Sequence, residues 1–154
     1  MKITEALLAE HTIFLGVFDQ IERVLPSLTT PTEVRTMGSI VEGMLRKHAE
    51  TETNLAYLAL DHMLADQGEM NQMHQDHHEI ETELKAVQHA NTCAQARRLL
   101  KAALMASRNH FQGEERHVFP LLERVLDAET LTELGNVWLQ RLSQAPDRVA
   151  PLAS

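Results

Sequence analysis

The sequence predicts an all-α fold, an antiparallel up-down four-helix bundle followed by a short fifth helix, and three observations carry that reading. Apolar residues make up 44% of the chain and aromatics only 4%, with six glycines and five prolines, a balance that favours helix over sheet. Four long stretches place apolar residues three and four apart, the repeat of a single helix face. Short turns separate them, and short turns join antiparallel neighbours. A chain of 154 residues suits one domain with one core, assigned to residues 1–145. The remainder, 146–154, holds two prolines and no periodicity and is expected to be loosely ordered.

The first helix opens at Ile3-Thr4, read as a hydrophobic staple and N-cap, carries Leu8, His11, Leu15 and Phe18 on one face, and ends before Pro26. A capping box starts the second, with Thr30 as N-cap, Pro31 in the first helical position and Glu33 reaching back. Its face runs through Val41, Met44, His48, Glu52, Leu55 and Ala59 to about Leu64. The chain turns at ADQG, and the third helix lines up Met70, Met73, His77, Ile80, Leu84 and Val87. Asn91 or Thr92 caps the fourth, whose face is Leu100, Ala103, Ser107, His110 and Glu114, and Pro120 ends or kinks it. The fifth, DAETLTELGNVWLQRL, repeats Leu131, Leu134, Trp138 and Leu142 and is expected to pack across the bundle's end.

Polar groups on these apolar faces carry the chemistry. His48 and Glu52, and again His110 and Glu114, stand four residues apart and so project from one side of their helix toward the core. His11 and His77 add one inward imidazole from each of the other two helices. A carboxylate buried without a partner costs several kcal/mol, so two of them beside imidazoles call for cations between the helices. Two carboxylates suffice to bridge two metal ions, with the histidines divided two to each. Imidazole with carboxylate, and no thiolate, suits iron, with manganese or zinc as the other metals this donor set takes. The bland alternative is a structural bundle whose His–Glu pairs satisfy one another without metal.

The other histidines read differently. His62 lies near a helix end, His74 and His78 stand at or beyond the edge of their stripe, and His89 falls at a helix terminus. His117, seven residues past His110, is given an outer or surface role, and the lone Cys93 a structural one. A net charge of −8 leaves no basic patch for nucleic acid or an anionic membrane. The N-terminal stretch lacks a leader-like apolar core and no run approaches the ~20 residues of a span, so a cytoplasmic location is expected.

The ordered motifs ALLAEHTIF, RKHAETET, DHHEIETEL and NHFQGEERHVFP, followed by PLLERVLDAETLTELGNVW, resemble the hemerythrin-like, or HHE cation-binding, domain over about residues 4–143. That resemblance implies a four-helix bundle around two non-haem iron ions, oxo- or hydroxo-bridged, with His48, Glu52, His110 and Glu114 as ligands, the glutamates bridging, and His11 and His77 completing one iron each. The oxygen carriers of the family place a second histidine on the third helix and an aspartate five residues after the fourth-helix histidine; here Met73 and Glu115 occupy those positions. The resemblance therefore implies binding of, or reaction with, a small molecule such as O2, NO or peroxide in sensing, stress defence or detoxification, in place of reversible oxygen carriage. A peroxide- or NO-processing enzyme and an iron storage or delivery protein are the alternatives.

Overall fold

The computed structural model describes residues 1–63 and 70–143. Leu64, the ADQG turn and the tail 146–154 lie outside the described residues. The regular structure is helical throughout: α1 (Ile3–Val24), α2 (Pro31–Glu52), α3 (Leu58–Met63), α4 (Asn71–Gln88), α5 (Cys93–Gly113), α6 (Phe119–Val125) and α7 (Ala128–Ser143). Two π turns, Thr53–Tyr57 and Glu114–Val118, join α2 to α3 and α5 to α6, so that each pair forms one interrupted rod. Gly113 directly precedes the second interruption, the first has no glycine or proline at its start, and the helical pattern predicts neither.

The helix starts follow their local chemistry. The Thr30 hydroxyl accepts from the Glu33 amide at 3.3 Å while Glu33 takes the Thr30 amide at 2.8 Å, and Thr92 caps α5 through the Gln95 amide. The first helix begins two residues earlier than expected, at Ile3 behind Lys2, whose amide donates to Glu5. Thr4 is consequently no cap: it is buried and donates to Glu123 at 2.6 Å. The inward stripe of α1 is also rotated, running through Leu7, His11, Phe14, Phe18 and Ile21 and leaving Leu8 47% exposed. Pro120 does not end its helix. It follows the Glu114–Val118 π turn, in which the Phe119 amide donates five residues back to Glu114, and α6 continues to Val125.

Helix α4 packs on α5 and α2, while α7, with further contacts to α6 and the Thr53–Tyr57 turn, lies chiefly against α1. Gly135 permits that contact, because a methyl group there would overlap the Met1 carbonyl. The apolar core falls into two clusters. One gathers Phe14, Phe18, Leu45, Ile80, Leu84, Leu100 and Phe111; the other gathers Leu7, Leu55, Tyr57, Met70, Phe119, Leu122 and Trp138. On every rod the inward His and Glu residues stand between the two, which makes the polar layer an internal one. No helix among the described residues is long and apolar enough to cross a membrane.

Candidate metal centre

All six residues singled out by spacing meet in that layer. Donor atoms of His11, His48, Glu52 and Glu114 lie within 4.8 Å of one another, and so do those of Glu52, His77, His110 and Glu114. The two carboxylates belong to both groups, and each group has two imidazoles of its own. The His11 and His48 Nε2 atoms are 3.1 Å apart, and those of His77 and His110 2.8 Å. Glu52 reaches between the groups, with Oε1 3.2 Å from His48 Nε2 and Oε2 3.4 Å from His77 Nε2. Glu114 Oε2 lies 3.3 Å from His11 Nε2 and 3.5 Å from His110 Nε2.

Outer carboxylates set the ring orientations. His11 Nδ1–H donates to Glu115 at 3.0 Å, His48 Nδ1–H to Glu10 at 3.0 Å, and His110 Nδ1–H to Asp76 at 3.3 Å. A proton fixed on Nδ1 turns the Nε2 lone pair inward, the arrangement usual behind a metal-bound imidazole. Glu115 enters the sequence reading only as the counterpart of the oxygen carriers' aspartate; the other two acids escape it, although Glu10 directly precedes His11 and Asp76 directly precedes His77. Each of those two reaches across to the histidine of the neighbouring rod, a contact that periodicity within one helix does not reveal.

The π turns add a further residue. Tyr57 is fully buried, its hydroxyl donates to Glu114 Oε1, and its ring stacks on His77 with centroids 5.6 Å apart. Burial, reinforced by the charges of Glu52 and Glu114, raises the phenol far above its ordinary value, so it remains a donor. In the corresponding place after Glu114, Phe119 stacks near His11 at 5.4 Å.

The donor set passes a direct test of fit. Glu52 Oε1 and Oε2 and Glu114 Oε2 are buried and have no hydrogen-bond partner. Orphaned carboxylate oxygens of this kind cost several kcal/mol, and coordination of a cation removes that cost. Without metal the compensating charge is carried by protons. Burial pushes the His11 imidazole down, but the adjacent Glu114 and Glu52 carboxylates outweigh it and hold the group at about 9. His48 is likewise depressed by burial, then lifted to about 10 by the Glu52 charge and its bond to Glu10. Burial would raise Glu52; the His48 charge and the close approach of the His11 and His48 imidazoles hold it well below the usual range. His110 differs, since burial keeps it below the ordinary imidazole value despite Glu114.

The two groups also differ in access. His11 is sealed under Phe111, whereas the His77 side chain is 16% exposed. A cleft of about 420 Å³ between α2 and α4 reaches His48, His77 and His110 from the surface. His62, His78, His89 and His117 are exposed and stand outside both donor groups. His74 is exposed too, with its ring edge-on to Tyr57, and Met73 is half-buried beside Gly113.

An all-helical bundle with two sets of imidazoles sharing buried carboxylates defines a metal-binding protein. The chain belongs to the hemerythrin HHE cation-binding domain family, whose sequence pattern matches residues 2–122. The match takes in all six convergent residues and both π turns and stops before α7. Comparison with curated proteins and with solved structures returned no match.

Proposed function

We propose that the six residues hold two iron ions: one between His11 and His48, one between His77 and His110, with Glu52 and Glu114 shared. The four rods are taken to run up and down in turn, which brings the two His-x-x-x-Glu pairs to one depth. The observation that carries this reading is the set of buried, unpartnered oxygens on Glu52 and Glu114, each facing imidazole nitrogens of both groups. Bound iron would supply an exchangeable position and one-electron redox chemistry toward O2, NO or peroxide. The chain's own part is positional. Glu115, Glu10 and Asp76 orient three rings, Phe111 and Phe14 exclude water from one side, and Tyr57 donates a proton to one oxygen of Glu114 without giving it up.

Met73 stands where the family's oxygen carriers have a further imidazole, and a thioether is a poor ligand for oxidised iron. The His77–His110 ion therefore keeps an open position, which favours reaction or sensing over reversible carriage. The protein is placed in the cytoplasm, in sensing, stress defence or detoxification of such molecules. Reconstitution of metal-free protein with ferrous iron in air tests the reading: two irons per chain and a new visible absorption are expected. One tightly held ion, or none, would contradict it.

A further inference from the structure

The cleft is larger than the small molecules considered so far require. A diatomic is about as large as a water molecule, whose share of liquid volume is ~30 Å³, while the cleft measures about 420 Å³. That volume lies in the range of pockets that enclose organic ligands, ~300–1,000 Å³. Its construction is graded from outside to inside. Glu42, Arg46, Glu50 and Glu81 form a charged rim, of which Glu81 is already paired with Lys85 at 2.6 Å. Buried Leu45, Ile80, Leu84 and Phe111 form an apolar wall below it. The inner end consists of the His48, His77 and His110 imidazoles.

An apolar wall leading to a polar, metal-directed end selects for molecules with the same division. We infer that the α2–α4 cleft binds a small organic molecule with an apolar body and one anionic, metal-ligating end, such as a medium-chain carboxylate. The body lies along Leu45, Ile80 and Leu84, and the head group reaches the His77–His110 ion. This position follows from the exposure of His77 and from the sealing of His11 on the other side. Acidic residues at the rim oppose an anion that stops at the surface, and a cation at the inner end attracts it inward. The inference rests on the metal centre proposed above.

The test uses full-length protein loaded with cobalt(II), whose visible bands report ligand exchange, titrated with straight-chain carboxylates from acetate to octanoate. Affinity is expected to tighten roughly two- to fourfold per methylene until the chain outgrows the cleft, as expected for partly or fully buried CH2 groups. Ala49→Phe, which fills the cleft from the half-buried wall of α2, should erase the chain-length dependence while acetate still binds. Equal affinity along the series in the natural protein would overturn the inference while leaving the metal centre intact, and that arm needs no variant. Loading without any carboxylate response would overturn it as well. Failure of cobalt to load would remove the metal centre and the inference together.

Discussion

The two halves of the molecule, α1 to α3 and α4 to α6, present matching groups to the centre and surround them differently. Glu10-His11 answers to Asp76-His77, His48 and Glu52 answer to His110 and Glu114, and each glutamate is followed by or begins a π turn. Even the aromatic groups correspond, with Tyr57 stacked on His77 and Phe119 near His11. The differences are one hydroxyl, the burial of one histidine and one cleft. Tyr57 occupies an oxygen of Glu114, while Phe119 can donate nothing to Glu52, whose two oxygens stay free of hydrogen bonds. His11 is sealed and His77 is partly open. The donor types give both halves an affinity for metal. On the reading proposed above, their surroundings would make one half a closed anchor and the other a site of exchange.

Breaking the shared element should have the largest effect. Glu52→Ala removes the carboxylate whose two oxygens face both halves and should abolish tight binding of both ions. The thermal stabilisation conferred by metal, about 3–4 kcal/mol at a large excess over Kd, should vanish with it. Unchanged metal content would mean that another group bridges the halves.

Single-histidine variants test the asymmetry next. His77→Ala is expected to lose the ion of the open half and keep about one per chain, whereas His48→Ala damages the anchor and weakens both. In the natural protein a chelator should remove one ion much faster than the other, and His77→Ala should abolish the fast phase. Two equal rates would show that the halves are equivalent.

Protons sharpen the same contrast. In metal-free protein His11 and His48 are held at about 9 and about 10, above the 6.5 of a free imidazole. Their contribution to stability is therefore fully present below about 6.5 and lost as pH rises through 9 to 10. Glu52 works oppositely: held low, it contributes above the usual carboxylate value and loses that contribution as pH falls through its lowered value. The melting temperature of metal-free protein should fall between pH 8 and 10. Metal binding should strengthen over that range, because protons leave His11 and His48 on coordination. His110, held below the ordinary value, is neutral at pH 7, so binding between His77 and His110 should release fewer protons than binding between His11 and His48. Calorimetry in buffers of different ionisation enthalpy reads that difference directly.

Tyr57→Phe makes the halves alike at the π turns. It removes a buried hydrogen bond to a carboxylate and should cost metal-free protein about 1.5–3 kcal/mol in chemical denaturation. It should not release metal. Replacing exposed His62 or His89 with alanine should change stability by no more than about 0.5 kcal/mol and leave metal content unaltered.

Spacing anticipated the convergence of the six side chains because helix periodicity is rigid over a few turns: His48 to Glu52 and His110 to Glu114 hold their phase up to the π turns. Beyond those points the phase shifts. Ala59, expected inside, is only half-buried while Leu60 is fully buried, and His117 is turned out to solvent. Tyr57 was illegible for that reason, since it lies off the stripe of an uninterrupted helix. Leu8 failed at the other end, where Leu7 and Leu8 are equally apolar and only packing against α7 and its neighbours chooses between them. Glu10 and Asp76 gave no signal because their partners lie on other rods, and the partner of Glu115, which stands at the oxygen carriers' aspartate position, is the His11 ring on another rod.

The central claim is that two cations share Glu52 and Glu114 between unequal halves. Anomalous diffraction from crystals of the iron-loaded protein tests it most directly. Two peaks are expected, one among His11, His48 and the two glutamates and one among His77, His110 and the same glutamates, with a ligand or water in the cleft touching only the second. A single peak, or an ion that touches neither glutamate, would contradict the account.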